Sequence, residues 1–413
     1  MARRLLWCLA GLSVIGLVGA ELTRPLASDV DPVAASTFLG GRAIAVALDY
    51  RVPLRWAAVL SVTLRAVTAI VVLVWLRRRS VRSAGPADAA TASGHSLPLR
   101  QSLKVGLVGV GVWIAADLVR LPLGIWGWNH AVQYGLSTQD FGGWLGDWAL
   151  QTVPYWIGVW IAVAAAVWIR HRWPRDWVAI AGLIAGVIGV VLVVLSPLVF
   201  EPLLFDFTPL PQGRLRTGIQ ELVDAADNGR DAEILVADAS RRTTASNAYV
   251  SGIGGTRRIV LYDTLIRDAP QAQILTIVAH ELGHDQHHDV ERTAVQLVGV
   301  AVLLAATVNL IVGRPSADDR RLADSATVAK GVAVVMLLLV ATGPIVQWSS
   351  RRAESAADAA SLELTGAPQD YRAMMIGLAM RNLSDPDPPA WIIDLFFSHP
   401  PVTSRIARAT GGG

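Results

Sequence analysis

Two histidines and a glutamate stand at a spacing that suits a metal-dependent hydrolase. His280, Glu281 and His284 form the pattern H-E-x-x-H. Histidines four residues apart lie on one face of a helix, so both imidazoles can bind one Zn²⁺ ion. The glutamate beside them can act on a zinc-bound water molecule, whose pKa the metal lowers to about 7. The pattern therefore predicts zinc-dependent hydrolysis.

A catalytic zinc ion needs a third protein ligand and an open position for water. His287 and His288 lie on other helix faces than His280 and His284, or a turn further on. This position argues against either of them as the third ligand. Glu354 and Asp358 are acids four residues apart, on one face of an Ala-rich helix. Glu354 could bind zinc while Asp358 orients a ligand imidazole or transfers protons. Alone, such a pair of acids is typical of a solvated helix face. It indicates a zinc site only because it follows the histidine pattern.

The composition indicates a membrane protein. Apolar residues make up 53% of the 413 residues and charged residues only 17%, whereas soluble domains carry about 25% charged residues. This excludes a water-soluble enzyme and a disordered chain, and the net charge of +3 gives no sign of nucleic-acid binding. Because Cys8 is the single cysteine, the chain can form no internal disulfide framework.

Seven apolar stretches are long enough, or nearly long enough, to cross a bilayer as helices. They are residues 5–20, 54–76, 103–126, 144–169, 177–200, 293–313 and 328–348. The first stretch could instead be a signal peptide, because it is short, follows two arginines and ends in small residues. Since six more stretches follow it, we expect a retained span. The mainly apolar run of six residues before the histidine pattern, 274–279, is too short for a span.

Two polar blocks, residues 201–291 and 349–413, contain the predicted chemistry. Periodicity predicts helices at 215–227 and 271–288, strands at 233–237 and 258–262, and a Gly-rich turn at 251–255 that joins the strands. We expect a mainly α-helical integral membrane protein with about seven transmembrane helices and a zincin-like metalloprotease domain that contains a small β element. Residues 1–200 would form a five-span region. Residues 201–413 would form the metallopeptidase domain, including the spans near 293–313 and 328–348.

Three ionisable residues fall inside the predicted spans: Arg65, Asp117 and Arg120. Such groups are costly at membrane depth and face a bundle interior or a watery cavity. Asp117 and Arg120 are three residues apart on one helix face, so one interpretation is a neutralised structural pair. The other is a water-filled internal chamber.

The second half of the chain resembles the CAAX prenyl proteases and their bacterial relatives, which are seven-span membrane zinc endopeptidases. The resemblance rests, in order, on residues 205–211 (FDFTPLP), 246–252 (SNAYVSG), 256–265 (TRRIVLYDTL), 280–284 (HELGH), 354–358 (ESAAD) and 398–401 (SHPP). It covers about residues 200–410, and the first half matches only in being hydrophobic and multi-span. Asp285 departs from the family, which often has an aromatic residue there.

The resemblance implies a ligand set and a general base. His280, His284 and Glu354 would bind one Zn²⁺ ion per chain, and Glu281 would be the general base. Asp358 would help to return protons or hold a ligand imidazole in place.

The resemblance also implies substrate contacts. Asn247 with its neighbours Ala248 and Tyr249 would hold the substrate peptide as an added edge strand. His399 would lie beside the cleaved carbonyl as an oxyanion donor. From sequence alone, Asn247 could be a turn residue and His399 a histidine in a turn before proline.

The distribution of lysine and arginine predicts the orientation in the membrane. Fifteen such residues fall on the side of the N-terminus, while three lie in the first loop on the other side, Arg24, Arg42 and Arg51. With seven spans, this places the zinc domain outside the cell membrane. The resemblance implies the cytosolic side instead, so both assignments stay open.

Our main hypothesis is a multi-pass cell-membrane endopeptidase that uses zinc to hydrolyse peptide bonds, similar to enzymes that trim C-terminal tails. Its partners would be the lipid bilayer and a peptide or protein that could be membrane-associated or lipidated, with no nucleic acid. An HtpX-type quality-control protease is the alternative within the same chemistry. A non-catalytic seven-span transporter or receptor with structural zinc is the alternative of another class, and such a site has no need for Glu281.

Overall fold

The computed structural model describes residues 30–82, 99–226, 232–252, 256–313 and 325–410, together with Gly19, Glu21, Thr23 and Arg24. The helices are α1 (Gly41–Arg82), α2 (Leu99–Gln133), α3 (Phe141–Arg172), α4 (Trp177–Val199), α5 (Glu201–Leu204), α6 (Arg214–Ala226), α7 (Asp263–Asp268), α8 (Gln271–Gln286), α9 (Asp289–Val312), α10 (Ser325–Thr365), α11 (Pro368–Arg381), α12 (Ala390–Phe396) and α13 (Val402–Ala409). The strands are β1 (Phe207–Pro209), β2 (Glu233–Ala237), β3 (Ala248–Ser251) and β4 (Arg258–Tyr262).

Long apolar helices dominate the fold, as predicted. Within the described residues, five helices are long and apolar enough to cross a membrane: α1, α2, α3, α9 and α10. A sixth, α4, has a shorter apolar part, Trp177–Leu192. These six helices contain the predicted spans two to seven, apart from residues at the ends of two spans. The predicted first span, residues 5–20, lies outside the described residues except for Gly19, and so does Cys8.

The six helices pack in a closed ring. Each contacts the next in the order α1, α2, α3, α4, α9 and α10, and α10 returns to α1. Gly182 and Gly186 make the close contact between α4 and α9, because an added Cβ would lie 2.5 Å from a Val302 methyl and 2.6 Å from a Val298 methyl. Small residues four apart allow helices to approach closely within membranes.

The ionisable residues inside the spans contact one another. Asp117 Oδ1 lies 3.1 Å from Arg120 Nη1 and 3.5 Å from Arg65 Nη2. Trp156 Nε1 donates to the other oxygen of Asp117 at 2.9 Å, and Arg120 Nε donates to Ser61 Oγ at 2.7 Å. Asp117 and Arg120 thus form the ion pair that one of our two alternatives describes, and Arg65 adds a second positive charge. The water-filled chamber stays a prediction.

A four-stranded sheet lies in the first polar block, in the order β1-β2-β4-β3. β2 and β4 are parallel, and β1 and β3 are antiparallel edge strands. The two predicted strands have the predicted bounds, but the prediction that one turn at 251–255 joins them was wrong. Parallel strands need a longer crossover, and here β3 lies between them in the chain and pairs with β4. The strand β3 has only four residues, which is too short for an alternation of apolar and polar residues to predict it from the sequence.

Candidate active site

The helix α8 carries the H-E-x-x-H pattern inside the core of the polar region. It begins after Pro270, and its Val278 and Leu282 belong to the same buried core cluster as Ile259 and Leu261 of β4. Packing on a sheet fixes the rotation of the helix about its axis. The packing of α8 in the core therefore also fixes the position of His280.

A glycine allows α10 to pass close to α8. An added Cβ at Gly283 would lie 3.0 Å from both the Cα of Ala357 and the Cβ of Ala360, so a larger residue would push α10 away. Glu354 lies one turn before Ala357 on that helix. The acids predicted to follow span seven therefore lie on the same continuous helix as the span itself.

The three predicted metal ligands come together. Glu354 places Oε2 3.2 Å from His280 Nε2 and Oε1 3.4 Å from His284 Nε2. One possible ligand atom from each residue lies within 4.8 Å of the other two. The two Nδ1 atoms face other carboxylates, 3.0 Å from Asp358 Oδ1 and 2.8 Å from Asp289 Oδ2. Both Nε2 atoms are thus directed at the position of a shared cation.

The donor set and the electrostatics fit a divalent metal ion. Two imidazole nitrogens and one carboxylate oxygen are the protein ligands of many catalytic zinc sites. Burial alone would lower the pKa of both histidines, but the neighbouring carboxylates reverse this effect. The pKa of His280 is raised through Asp358 and Glu354, and that of His284 rises to about 10 through Asp289 and Glu354. Surroundings that favour positive imidazoles also favour a cation.

Two residues that support this site escaped the sequence analysis. Asp289 begins α9 directly after His288, whose φ of 54° turns the chain out of α8. Arg405 on α13 donates from Nε to both oxygens of Asp358, at 3.2 and 3.0 Å. Asp358 is fully buried between Arg405 and His280. A carboxylate five residues after the second histidine could have indicated Asp289, whereas no local signal indicates Arg405.

Glu281 lies between the histidines and the edge of the sheet. Burial raises the pKa of its carboxyl, although His280 and His284 act in the opposite direction. The backbone N–H of Val250 in β3 donates a hydrogen bond to it. A raised pKa suits a carboxylate that must accept and then return a proton.

The free edge of β3 faces this carboxylate. Tyr262 N–H donates to the Asn247 carbonyl oxygen at 3.0 Å, and Ala248 lies opposite Leu261. In this antiparallel register, the N–H and C=O groups of Ala248 and Val250 point away from β4. Asn247 and Ala248 line the cavity beside His280. The Tyr249 side chain lies on the other face of the sheet and donates its hydroxyl to Glu201 at 2.9 Å.

His399 lies opposite the helix, in the segment before α13. Its Nε2 is 3.2 Å from Glu354 Oε1, and its side chain is 57% exposed. Its Nδ1 is 2.8 Å from Ser398 Oγ. The predicted oxyanion donor therefore reaches the metal ligands from the open side of the site.

A cavity of about 460 Å³ opens beside His280 and Glu281 of α8. Its walls come from α1, β3, α8, α11 and the segment around His399. The larger apolar side chains that line it are Ile277, Met374, Met375, Leu378, Phe396, Phe397 and Val402. A helical H-E-x-x-H pattern, a carboxylate from a distant helix and a cavity at a sheet edge, set among membrane-length helices, define an integral-membrane metallopeptidase.

Known proteins agree with this class. Residues 209–411 match the model of Peptidase family M48. The chain is 31% identical over 325 residues to the "Uncharacterized metalloprotease YhfN" of Bacillus subtilis, covering 76% of this chain and 75% of that protein. It is 31% identical over 228 residues to the "CAAX prenyl protease 1 homolog" of Oryza sativa subsp. japonica, covering 53% of this chain and 52% of that protein.

The fold has a close counterpart as well. The crystal structure of S. mikatae Ste24p superposes with a TM-score of 0.72 at 21% identity, covering 98% of this chain and 96% of that one. The chain belongs to peptidase family M48 and is a multi-pass membrane metalloendopeptidase that acts on peptides or proteins. The resemblance found in the sequence is confirmed, and the peptidase hypothesis stands over the quality-control and transporter alternatives.

Proposed function

We propose that this protein is a zinc endopeptidase that cleaves C-terminal segments of membrane-associated polypeptides, including lipidated ones. One Zn²⁺ ion per chain would be held by His280, His284 and Glu354. The observation that carries this proposal is that both histidine Nε2 atoms face one carboxylate, while a further carboxylate lies within 3.0 Å of each Nδ1 atom. The relatives named CAAX prenyl protease 1 support the substrate class, although the rice match spans only about half of that relative.

Each site residue has a proposed task in hydrolysis. Bound zinc supplies positive charge that favours attack of water on a peptide carbonyl. Glu281 takes a proton from the attacking water and passes it to the departing amine. His399 donates a hydrogen bond to the carbonyl oxygen as negative charge develops there. Asp358 acts through His280, because it is buried behind that imidazole.

The substrate would add a strand to the sheet. The outward N–H and C=O of Ala248 and the C=O of Val250, whose N–H is bonded to Glu281, can pair with an extended peptide. Asn247 lines the cavity and can contact the same chain. Tyr249 would support this pairing only through its backbone, because its side chain lies on the other face of the sheet and binds Glu201. Pairing through main-chain atoms holds the cleaved bond beside Glu281 with little dependence on its sequence.

We further propose two domains, residues 1–200 and 201–413. The family match at 209–411 supports the second boundary. The lysine and arginine count supports a location of the second domain outside the cell membrane. Labelling of Ser398→Cys with an impermeant reagent in intact cells, in a chain lacking Cys8, tests this location. Protection from the reagent would favour the cytosolic side.

The activity is tested with the full-length protein in detergent. Zinc content and cleavage of a farnesylated C-terminal peptide are measured together, with the same unlipidated peptide as control. Faster cleavage of the lipidated peptide is the expected result. Equal cleavage would remove the lipid from the proposal, and a zinc-loaded protein that cleaves neither peptide would favour a non-catalytic role.

A further inference from the structure

Arg51 of α1 lines the same cavity as His280 and Glu281. Two of its guanidinium nitrogens bind backbone carbonyls, Nε to Leu383 at 2.5 Å and Nη2 to Asn382 at 2.7 Å. Both partners are neutral. The third nitrogen, Nη1, makes no hydrogen bond within the described residues, and it is not among the buried unpaired atoms. This donor is therefore open to the cavity.

The charge on this wall of the cavity is unbalanced. Asp385 is the carboxylate beside Arg51, but Arg55 binds both of its oxygens. The other guanidinium that lines the cavity, Arg405, is matched by Asp358. Arg51, which lines the cavity, and Arg55, which does not, thus share one carboxylate, Asp385. This leaves one positive charge on the side of Arg51.

We propose that Arg51 binds a carboxylate of the substrate on the C-terminal side of the cleaved bond, which makes it a specificity-determining residue. This rests on the proposed peptidase function. A guanidinium donates strong, directional hydrogen bonds to a carboxylate. Met374, Met375 and Phe397 line the same cavity and suit apolar side chains of the substrate. The carboxylate is the C-terminus of the substrate or an acidic side chain, and the chemistry is the same.

The test compares three forms of one peptide: a free C-terminal carboxylate, a C-terminal amide, and the amide with glutamate as last residue. Full-length wild type should prefer the free carboxylate over the amide by about tenfold or more in kcat/KM, since hydrogen bonds to charged groups contribute about 1.5–3 kcal/mol. Arg51→Gln should bring this ratio close to one, and Arg51→Lys should keep part of it. The glutamate peptide shows whether a side chain serves as well as the terminus.

Arg55→Gln combined with Asp385→Asn is the matched control. The double variant loosens the same loop without leaving an unpaired carboxylate beside Arg51, so all peptides should slow by a similar factor and the ratio should persist. A purely structural role for Arg51 predicts this same uniform loss in Arg51→Gln. An unchanged ratio in Arg51→Gln, or a wild-type ratio of one, overturns the proposal.

Binding keeps this test separate from the peptidase proposal. The ratio of Kd values for the carboxylate and amide peptides is measured in Glu281→Gln, with and without Arg51→Gln. Loss of the ratio on removing Arg51 supports the inference even if no peptide is cleaved, whereas absent cleavage by wild type counts against the peptidase alone.

Discussion

At the scale of single residues, each of the two imidazoles that we propose to bind zinc has a carboxylate on its far side. Asp358 faces Nδ1 of His280, and Asp289 faces Nδ1 of His284. Such contacts fix the tautomer and the ring orientation and make the opposite nitrogen a better ligand. The proposed ligand set therefore depends on two residues, Asp358 and Asp289, that we do not propose as ligands.

We expect Glu281→Gln to abolish peptide hydrolysis while zinc stays bound. The amide cannot accept the proton of the attacking water, and Glu281 is not one of the three grouped ligands. Peptide cleavage and metal content of the same purified sample provide the measurement. A variant that retains full activity would show that another residue is the base.

Asp289→Asn should weaken zinc binding about 10–100-fold, the usual effect of removing a residue that orients a ligand. Competition with a chromogenic chelator measures the affinity. Asp285→Asn is the matched control, because Asp285 is an acid on the neighbouring turn that pairs with Arg257 at 2.9 Å. Equal losses in both variants would mean that general negative charge, rather than the contact with His284, sets the affinity.

At the scale of elements, close helix contacts set the geometry. Gly283 brings α10 against α8, and Gly182 and Gly186 bring α4 against α9. The first contact builds the ligand set, and the second closes the helix ring. In both contacts, the two helices approach more closely than a side chain larger than that of glycine would allow.

Gly182→Ile should lower the thermal midpoint of the detergent-solubilised protein. The new side chain would collide with Val302, and overpacking costs about 1–3 kcal/mol. Gly189→Ile on the same helix is the control, because the nearest atom to an added Cβ there is 3.7 Å away. If the control loses as much stability as Gly182→Ile, close packing of α4 on α9 is not the cause.

At the scale of the whole molecule, the polar region is joined to the membrane helices at several points. Arg242 binds Asp147 of α3 through two hydrogen bonds of 2.6 and 3.0 Å. Arg55 of α1 binds Asp385 in the loop after α11. The active-site cavity thus has one wall from the first described membrane helix.

Removal of the metal should destabilise the entire protein. A ligand that binds only the folded state stabilises it, by about 4 kcal/mol at a thousandfold excess over Kd. Chelation should therefore lower the thermal midpoint and abolish cleavage, and added zinc should restore both. An unchanged midpoint on verified loss of metal would argue against zinc in this site.

The sequence predicted what local patterns determine. Apolar length located spans two to seven, and the four-residue spacing located His280 and His284 on one face. Asp289 was missed although it is near in sequence, because its role depends on the turn at His288. Arg405 and Arg51 could not be predicted, since the fold brings them to the site from distant parts of the chain.

The continuity of α10 has a mechanical consequence. The apolar segment of this helix ends near residue 348, and Glu354 lies six residues further, about 9 Å along the axis. A helix tilts when its hydrophobic length and the hydrocarbon thickness differ, and a tilt of α10 moves the carboxylate relative to His280 and His284. We therefore expect the cleavage rate to depend on acyl-chain length, and rates measured in lipids of different thickness test this expectation.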